Sequence, residues 1–291
     1  NLTSAAVEAL STTQIKALQT ADIAALSTTG ASALTSTQVK VLSTNQVLAL
    51  EIADVGVLSA EAVRGFTSTQ VKALTTSQIA ALNTVQASDL TTSFVKSLST
   101  SQVAALETRD VAVMSAASIA ALSSTQWAAM TTAQIAALNT AQVAQLTAAQ
   151  LIGLGSTLLS QLQASQLTGL STSNLNGLVS ASLGALTSAQ IAELTTDQVA
   201  NLTTTALSYL STRGVSGFST SQIAALSTTQ VSNLSSTSVK TLSAVQLGAM
   251  DTADLAALGF KDLLTSTQVR GLTTAQLVTL TTAALASLNT N

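Results

Sequence analysis

Two pairs of carboxylates, Glu51 with Asp54 and Glu107 with Asp110, each stand three residues apart in a chain that is otherwise poor in charge. Carboxylates so paired can pass a proton as general acid and base, or offer oxygen ligands to calcium. A second regularity lies in the basic residues: Lys16, Lys40 and Arg64 follow one another at intervals of 24, and Lys72 and Lys96 do the same. The remaining chemistry is thin. The chain has no Cys and no His, which removes disulfides, thiolate and imidazole metal sites and the commonest general base. It has no glycine-rich phosphate loop and no Ser/His/Asp set, and its sparse cations lack an aromatic platform for nucleic acid. The expectation is a non-enzyme, with no catalytic, cofactor-binding or metal-ligating residues, no cofactor and no nucleic-acid partner.

What must carry these residues is a repeat. Of the 291 residues 47% are hydrophobic and 8% charged, with a net charge of −3, whereas a typical globular chain is roughly 25% charged. Disordered chains combine low hydrophobicity with high net charge, so this one is expected to bury a core. Leu recurs at 2, 10, 18, 26 and every eighth residue to Leu258, replaced only by Phe66, Met114, Met130, Phe218 and Met250. GFKDLL (259–264) is two residues short, and the frame resumes at Leu264, Leu272, Leu280 and Leu288. With the anchor as position 1, the octad reads L-[ST]-[ST]-x-Q-[IV]-x-A, and position 7 carries most of the cations.

One continuous helix cannot use this period, because eight residues overshoot two helical turns by about 80° and the Leu stripe would wind around the axis. A local reading fits. Ser/Thr at position 2 and Gln at position 5 form the S/T-x-x-Q capping box, and positions 1 and 6 form its hydrophobic staple. In STTQIKAL (11–18) the staple pairs Leu10 with Ile15. Asp22, Asp54, Asp110 and Asp254 take the Gln slot, where a carboxylate suits the helix dipole. That structural role is the preferred reading of both acidic pairs, whose octads lie 56 residues apart. Each octad thus predicts a helix of about six residues, too short to stand alone in water. Stacked on its neighbours through positions 1 and 6, with a tiny residue at position 8 allowing close approach, it predicts an all-α solenoid or superhelix of short capped helices. The 24-residue spacing of cations hints at three octads per turn rather than two or four. A β-solenoid is the alternative, suggested by Thr and Val and opposed by abundant Ala, Leu and Gln.

The array is expected to occupy 1–291 as one domain, with a kink or compressed turn at 259–264. Phe260 and Lys261 there could touch a partner, though a locally absorbed deletion is the simpler reading. A looser Leu- and Gly-rich subtype runs from about 147 to 186. Trp127 and Ala87 at position 6 and Tyr209 at position 8 read as packing variants rather than a ligand platform. Asn1, Asn201 and Asn233 begin N-glycosylation patterns that arise whenever position 8 is Asn. No apolar run approaches the roughly 18–20 residues of a membrane helix, and the opening NLTSAAVEAL is already repeat rather than a leader.

The octads TTAQIAAL, STSQVAAL and STTQVSNL resemble the arrays found within very large bacterial surface or secreted proteins of the adhesin or haem-utilisation/adhesion type. The resemblance covers essentially the whole chain and implies an extracellular or cell-surface location and a role in attachment or matrix. The haem association it brings has no ligand here, since His and Cys are absent and the three Met sit at core anchors. The leading expectation is a structural rod, stalk or filament that self-associates end to end or laterally, since both ends read as ordinary octads without capping units. A binding module for glycans or proteins on a cell surface or matrix is the second reading. Ice or mineral binding through regularly spaced Thr pairs is a minor third.

Overall fold

In the computed structural model, which describes residues 3–258 and 264–280, the octads fold as short α-helices, and no strand occurs among the described residues. The all-α expectation holds and the β-solenoid is excluded. Residues 259–263, with Phe260 and Lys261, fall outside the described residues, as do Asn1, Leu2 and 281–291.

Capping chemistry sets the boundaries. Ser11 is extended (φ −67°, ψ 157°) and opens the helix Thr12–Ala17. Its Oγ accepts the Gln14 N–H at 3.3 Å, while Gln14 Oε1 accepts the Ser11 N–H at 2.8 Å. The same reciprocal pair opens Ser36–Val41, Thr44–Ala49, Ser68–Ala73 and Thr220–Ala224. Helices are ended by a return to extended backbone at the next anchor, as at Leu18 (φ −60°, ψ 137°), whose N–H still bonds the carbonyls of Gln14 and Ile15. One leucine therefore closes a helix and leads into the next.

Burial supplies what such helices lack. Position 6 is sealed at Val39, Val47, Ile79, Ile135, Ile191 and Val231, and position 1 is buried at Leu42, Leu82, Leu138 and Leu202. Each such side chain contributes about 1.5–3 kcal/mol, more than the ~1 kcal/mol typical of an N-cap. Packing holds the helix, and the cap decides where it starts.

The chain divides into two compact units, Asn1–Gln145 and Leu146–Asn291. Within the first, Thr12–Ala17 packs on Ser36–Val41, which packs on Ala60–Arg64. Within the second, Ser188–Glu193 packs on Thr212–Val215 and that on Ser236–Thr241. In both, a helix meets the third one after it, so three octads complete a turn and the 24-residue cation spacing reflects it. The close approach expected of position 8 is visible at Gly65, where a Cβ would lie 2.3 Å from the Ser36 carbonyl oxygen.

The second unit contains one irregular octad junction. The helical run Ala148–Leu159 contains Gly155 at φ 69°, ψ 167°, so two octad helices meet across it. That backbone region is essentially confined to glycine, and Gly155 fills the position where Ser or Thr would cap. Leu151, Leu159, Leu167, Leu175 and Leu183, the position-6 leucines of this stretch, are all buried.

Replacing Gly65 by Ala must push the turn Ala60–Arg64 off Ser36–Val41, since the clash is with backbone. A loss of about 1–3 kcal/mol is expected, read as faster amide hydrogen exchange in those two helices while distant octads keep their protection.

Candidate functional site

The glutamine at position 5 does more than close the capping box. While Oε1 accepts the N-cap N–H, Nε2 turns to the preceding turn and donates to two backbone carbonyls there. Gln78 bonds the carbonyls of Val47 and Leu50, both at 2.9 Å, and Gln70 those of Val39 and Leu42, both at 2.7 Å. Gln134 repeats this on Val103 (2.9 Å) and Leu106 (2.7 Å), and in the second unit Gln230 on Val199 (3.0 Å) and Leu202 (2.8 Å). The acceptors lie 31 and 28 residues back: the end of one helix and the anchor that follows it. The first carbonyl of each pair also accepts the anchor N–H, as Val47 does from Leu50 at 3.3 Å, the second lies beyond the helix end, where internal partners run out, and the glutamines that reach them are buried. Beyond the shortened octad, Gln268 still reaches Val239 and Leu242, now 29 and 26 residues back, so the two missing residues leave the bond pattern intact.

Sequence reading missed this second bond. A capping box accepts Glu as readily as Gln, yet Glu never stands at position 5 in this chain. That one-sided preference was the available signal, because Glu supplies the oxygen but not the donor.

Where the slot departs from Gln, the bridge changes character. Ser118 Oγ reaches only the Leu90 carbonyl, at 2.6 Å. Phe94 abandons hydrogen bonding and packs edge-on against the anchor Phe66, ring centroids 6.4 Å apart. Asp22, near the start, is exposed and accepts the Gln19 N–H at 2.8 Å.

The acidic pairs behave otherwise. Asp54 and Asp110 are 1% and 0% exposed, and Glu51 and Glu107 make no side-chain capping bond. Neither oxygen of Asp110, and one of Asp54, has a hydrogen-bond partner. Lost solvation is the largest influence on both aspartates. Burial pushes the Asp110 carboxyl up to about 6, opposed by Arg109 and reinforced by Glu107. Burial raises Asp54 too, against a backbone hydrogen bond at Glu51 and with the Glu51 charge adding to the rise. Asp254 is raised by burial but accepts Thr228 Oγ1 at 2.8 Å, which works against the rise. The two pairs stand more than two turns apart and do not form one acid/base site. Among the described residues no three or more His, Cys, Asp or Glu gather as metal ligands.

The cations at position 7 are exposed: Lys16, Lys40, Arg64, Lys72, Lys96 and Lys240. An open recess of about 800 Å³ beside Lys40 and Arg64 also admits Glu61 and Asp89, and Arg64 is tied to Asp89 at 2.8 Å. Its charges cancel, so it is no anion site. Trp127 is fully buried, with its Nε1–H unpartnered, and Tyr209 stands 38% exposed on its own helix end. Nδ2 of Asn201 and of Asn233 donates to the carbonyls of Asp197 and Thr229, both at 2.8 Å.

A family model described as the ALTTAQ repeat matches residues 15–52, 47–84, 103–140, 170–204 and 205–236, more than half of the chain. Each of the first three segments contains both ends of one glutamine bridge: Gln46 to Ile15 and Leu18, Gln78 to Val47 and Leu50, Gln134 to Val103 and Leu106. No curated protein matches the chain.

Two outcomes follow from the geometry. Gln78→Leu strips a donor from two carbonyls and an acceptor from the Thr75 N–H, an expected loss of about 2–5 kcal/mol seen by hydrogen exchange in Thr44–Ala49 and Thr76–Ala80. Trp127, the single tryptophan, is expected to emit at short wavelength and to resist quenching by acrylamide until the first unit unfolds.

Proposed function

Because this chain belongs to the ALTTAQ repeat family, a family seen here as a stack of like turns, we propose that it is a structural protein, an extracellular or cell-surface rod, stalk or filament of bacterial type. The observation carrying this reading is the glutamine bridge. The same two atoms of one side chain join turn to turn across each unit, so each added glutamine octad brings its own cap, core pair and cross-turn bonds. Stability of such an array grows as a sum of neighbour terms, and length becomes the property under control. Among the described residues the side chains left outside gather no cluster of three or more acidic or metal-ligating groups, which suits a spacer that touches copies of itself end to end or along its flank.

A second reading, a module that presents its surface to glycans or proteins, draws on the exposed apolar side chains Leu48, Ile52, Val85 and Val113 of the first unit. Such residues favour contact with a partner when they gather in a patch.

Electron microscopy of the native material is the first test, with fibres or extended particles expected and dispersed compact monomers counting against the rod. A deletion of residues 67–90, three octads, provides the second. It is expected to leave helicity per residue unchanged and to shorten the particle in proportion, whereas removing only 67–70 breaks the frame and loses structure. Specific, saturable retention on cells or glycans, abolished by Leu48→Ser with Ile52→Ser, would favour the binding module instead.

A further inference from the structure

The position that glutamine fills as a double donor is filled at Asp110 and Asp54 by a side chain that, once ionised, can only accept. Along the bridge series at intervals of 32 residues, Gln46, Gln78 and Gln142 each donate to carbonyls 31 and 28 residues back. Asp110 falls between Gln78 and Gln142 in that series. The corresponding carbonyls are those of Ile79 and Leu82, and for Asp54 those of Ile23 and Leu26. None of the four receives a side-chain hydrogen bond. The Ile79 and Ile23 carbonyls accept the Leu82 and Leu26 N–H groups at 3.2 and 3.1 Å, so by register the anchor carbonyls of Leu82 and Leu26 are the ones left to an acceptor, and Asp110 is fully buried with neither oxygen hydrogen-bonded.

Short side chains at this same position show what a donor would do there. Ser118 Oγ donates to the Leu90 carbonyl 28 residues back. Asn174, the amide of the same shape as aspartic acid, donates its Nδ2 to the Leu146 carbonyl, again 28 residues back. A neutral aspartic acid has the reach of Asn174 and one O–H to give.

We propose that Asp110, and more weakly Asp54, is a proton-operated fastener between turns: protonated, it donates its O–H to the Leu82 or Leu26 carbonyl and closes the seam, and ionised, it leaves the seam without a donor. Asp254 sits at the same octad position but already has the Thr228 hydroxyl, so it is not one of these fasteners.

The charged groups around each are few. Asp110 shares its helix, Thr108–Val113, with Arg109 and has Glu107 at the N-cap. Arg109 Nε stands 3.9 Å from Asp110 Oδ1 and 3.3 Å from Glu107 Oε2, with its side chain largely in solvent. Of the helices packed on it, Thr84–Ser88 is followed by Asp89, which Arg64 engages, and Thr132–Ala136 has no titratable residue. Thr76–Ala80, which carries the Ile79 carbonyl and leads to that of Leu82, has none either. Asp54 has Glu51 at its own N-cap, and the helices packed on it, Thr28–Ser32 and Thr76–Ala80, carry no charge. Thr20–Ala24, which leads to its carbonyls, carries the exposed Asp22, bound to the Gln19 N–H.

The sign follows from the Asp110 carboxyl lying at about 6 when folded, against an ordinary 3.8. The folded state binds the proton more tightly, so the seam is firmest at low pH. Stability falls as pH rises from the ordinary value through the folded one, and levels off above it.

Hydrogen exchange of the full chain, corrected for intrinsic rates, tests this at about pH 5 and about pH 7.5, where the helices Thr76–Ala80 and Thr108–Val113 should open about tenfold less often in acid. Asp110→Asn, which donates at any pH, is expected to give the acid-like protection at both, and Asp110→Gln to do the same with two bonds. Adding Asp54→Asn should remove the remaining pH dependence of Thr20–Ala24 and Ile52–Val57. Equal wild-type protection of Thr108–Val113 at the two pH values would overturn the proposal, as would weaker protection at the higher pH in both Asp110→Asn and Asp110→Gln. So would millimolar calcium restoring protection at the higher pH in the wild type, because the seam would then be a metal site rather than a proton site.

Discussion

One primary amide, used in two directions at once, holds this architecture together. Its oxygen completes the start of the helix it belongs to, and its nitrogen completes the end of a helix one turn away. A five-residue helix spends most of its length as terminus, so nearly all its backbone polar groups need outside partners. Hydrophobic burial at positions 1 and 6 supplies the attraction, but burial without the amide would take anchor carbonyls out of water with no side-chain donor to replace it. The glutamine resolves both needs with one side chain, which is why it recurs so persistently.

Much of this was legible in the sequence. The capping box in STTQIKAL marks the start at Ser11 and the staple names Leu10 and Ile15, because both are local rules acting within six residues. The number of octads per turn was only hinted at by the spacing of Lys16, Lys40 and Arg64, because charges at position 7 are too few to separate three octads from two or four. What the sequence withheld was everything acting across turns. Gln78 looks the same whether or not its Nε2 has an acceptor, and only the absence of Glu at position 5 betrays the donor. The burial of Asp110 was hidden for the same reason: it stands in an ordinary octad between Arg109 and Val111, and its desolvation comes from residues of other turns.

The site-like features divide along the same line. Cations at position 7, the Tyr209 ring and the recess beside Arg64 are surface, and their charges pair or stand apart. Trp127 and the Phe66–Phe94 pair are core, substitutions absorbed by space that neighbouring turns leave open. Both oxygens of Asp110 and one of Asp54 sit inside without a hydrogen-bond partner, as does the Trp127 Nε1–H. An array whose polar interior is otherwise so fully bonded makes those exceptions informative, since a buried acceptor facing acceptors is costly to keep.

The edge-on contact of Phe94 with Phe66 has a consequence for how the chain finds its fold. Interchangeable bonds give a growing stack no means of knowing which segment it has captured, and a chain displaced by one whole unit would satisfy nearly every interaction equally well. Such near-degenerate alternatives roughen the landscape and invite strand-exchange between molecules. Phe94 in the slot meets Phe66 at the matching anchor, a ring contact that a displaced chain would lose, so the pair serves as a registration mark. Its aromatic rings let the chain distinguish the true alignment from its many near copies.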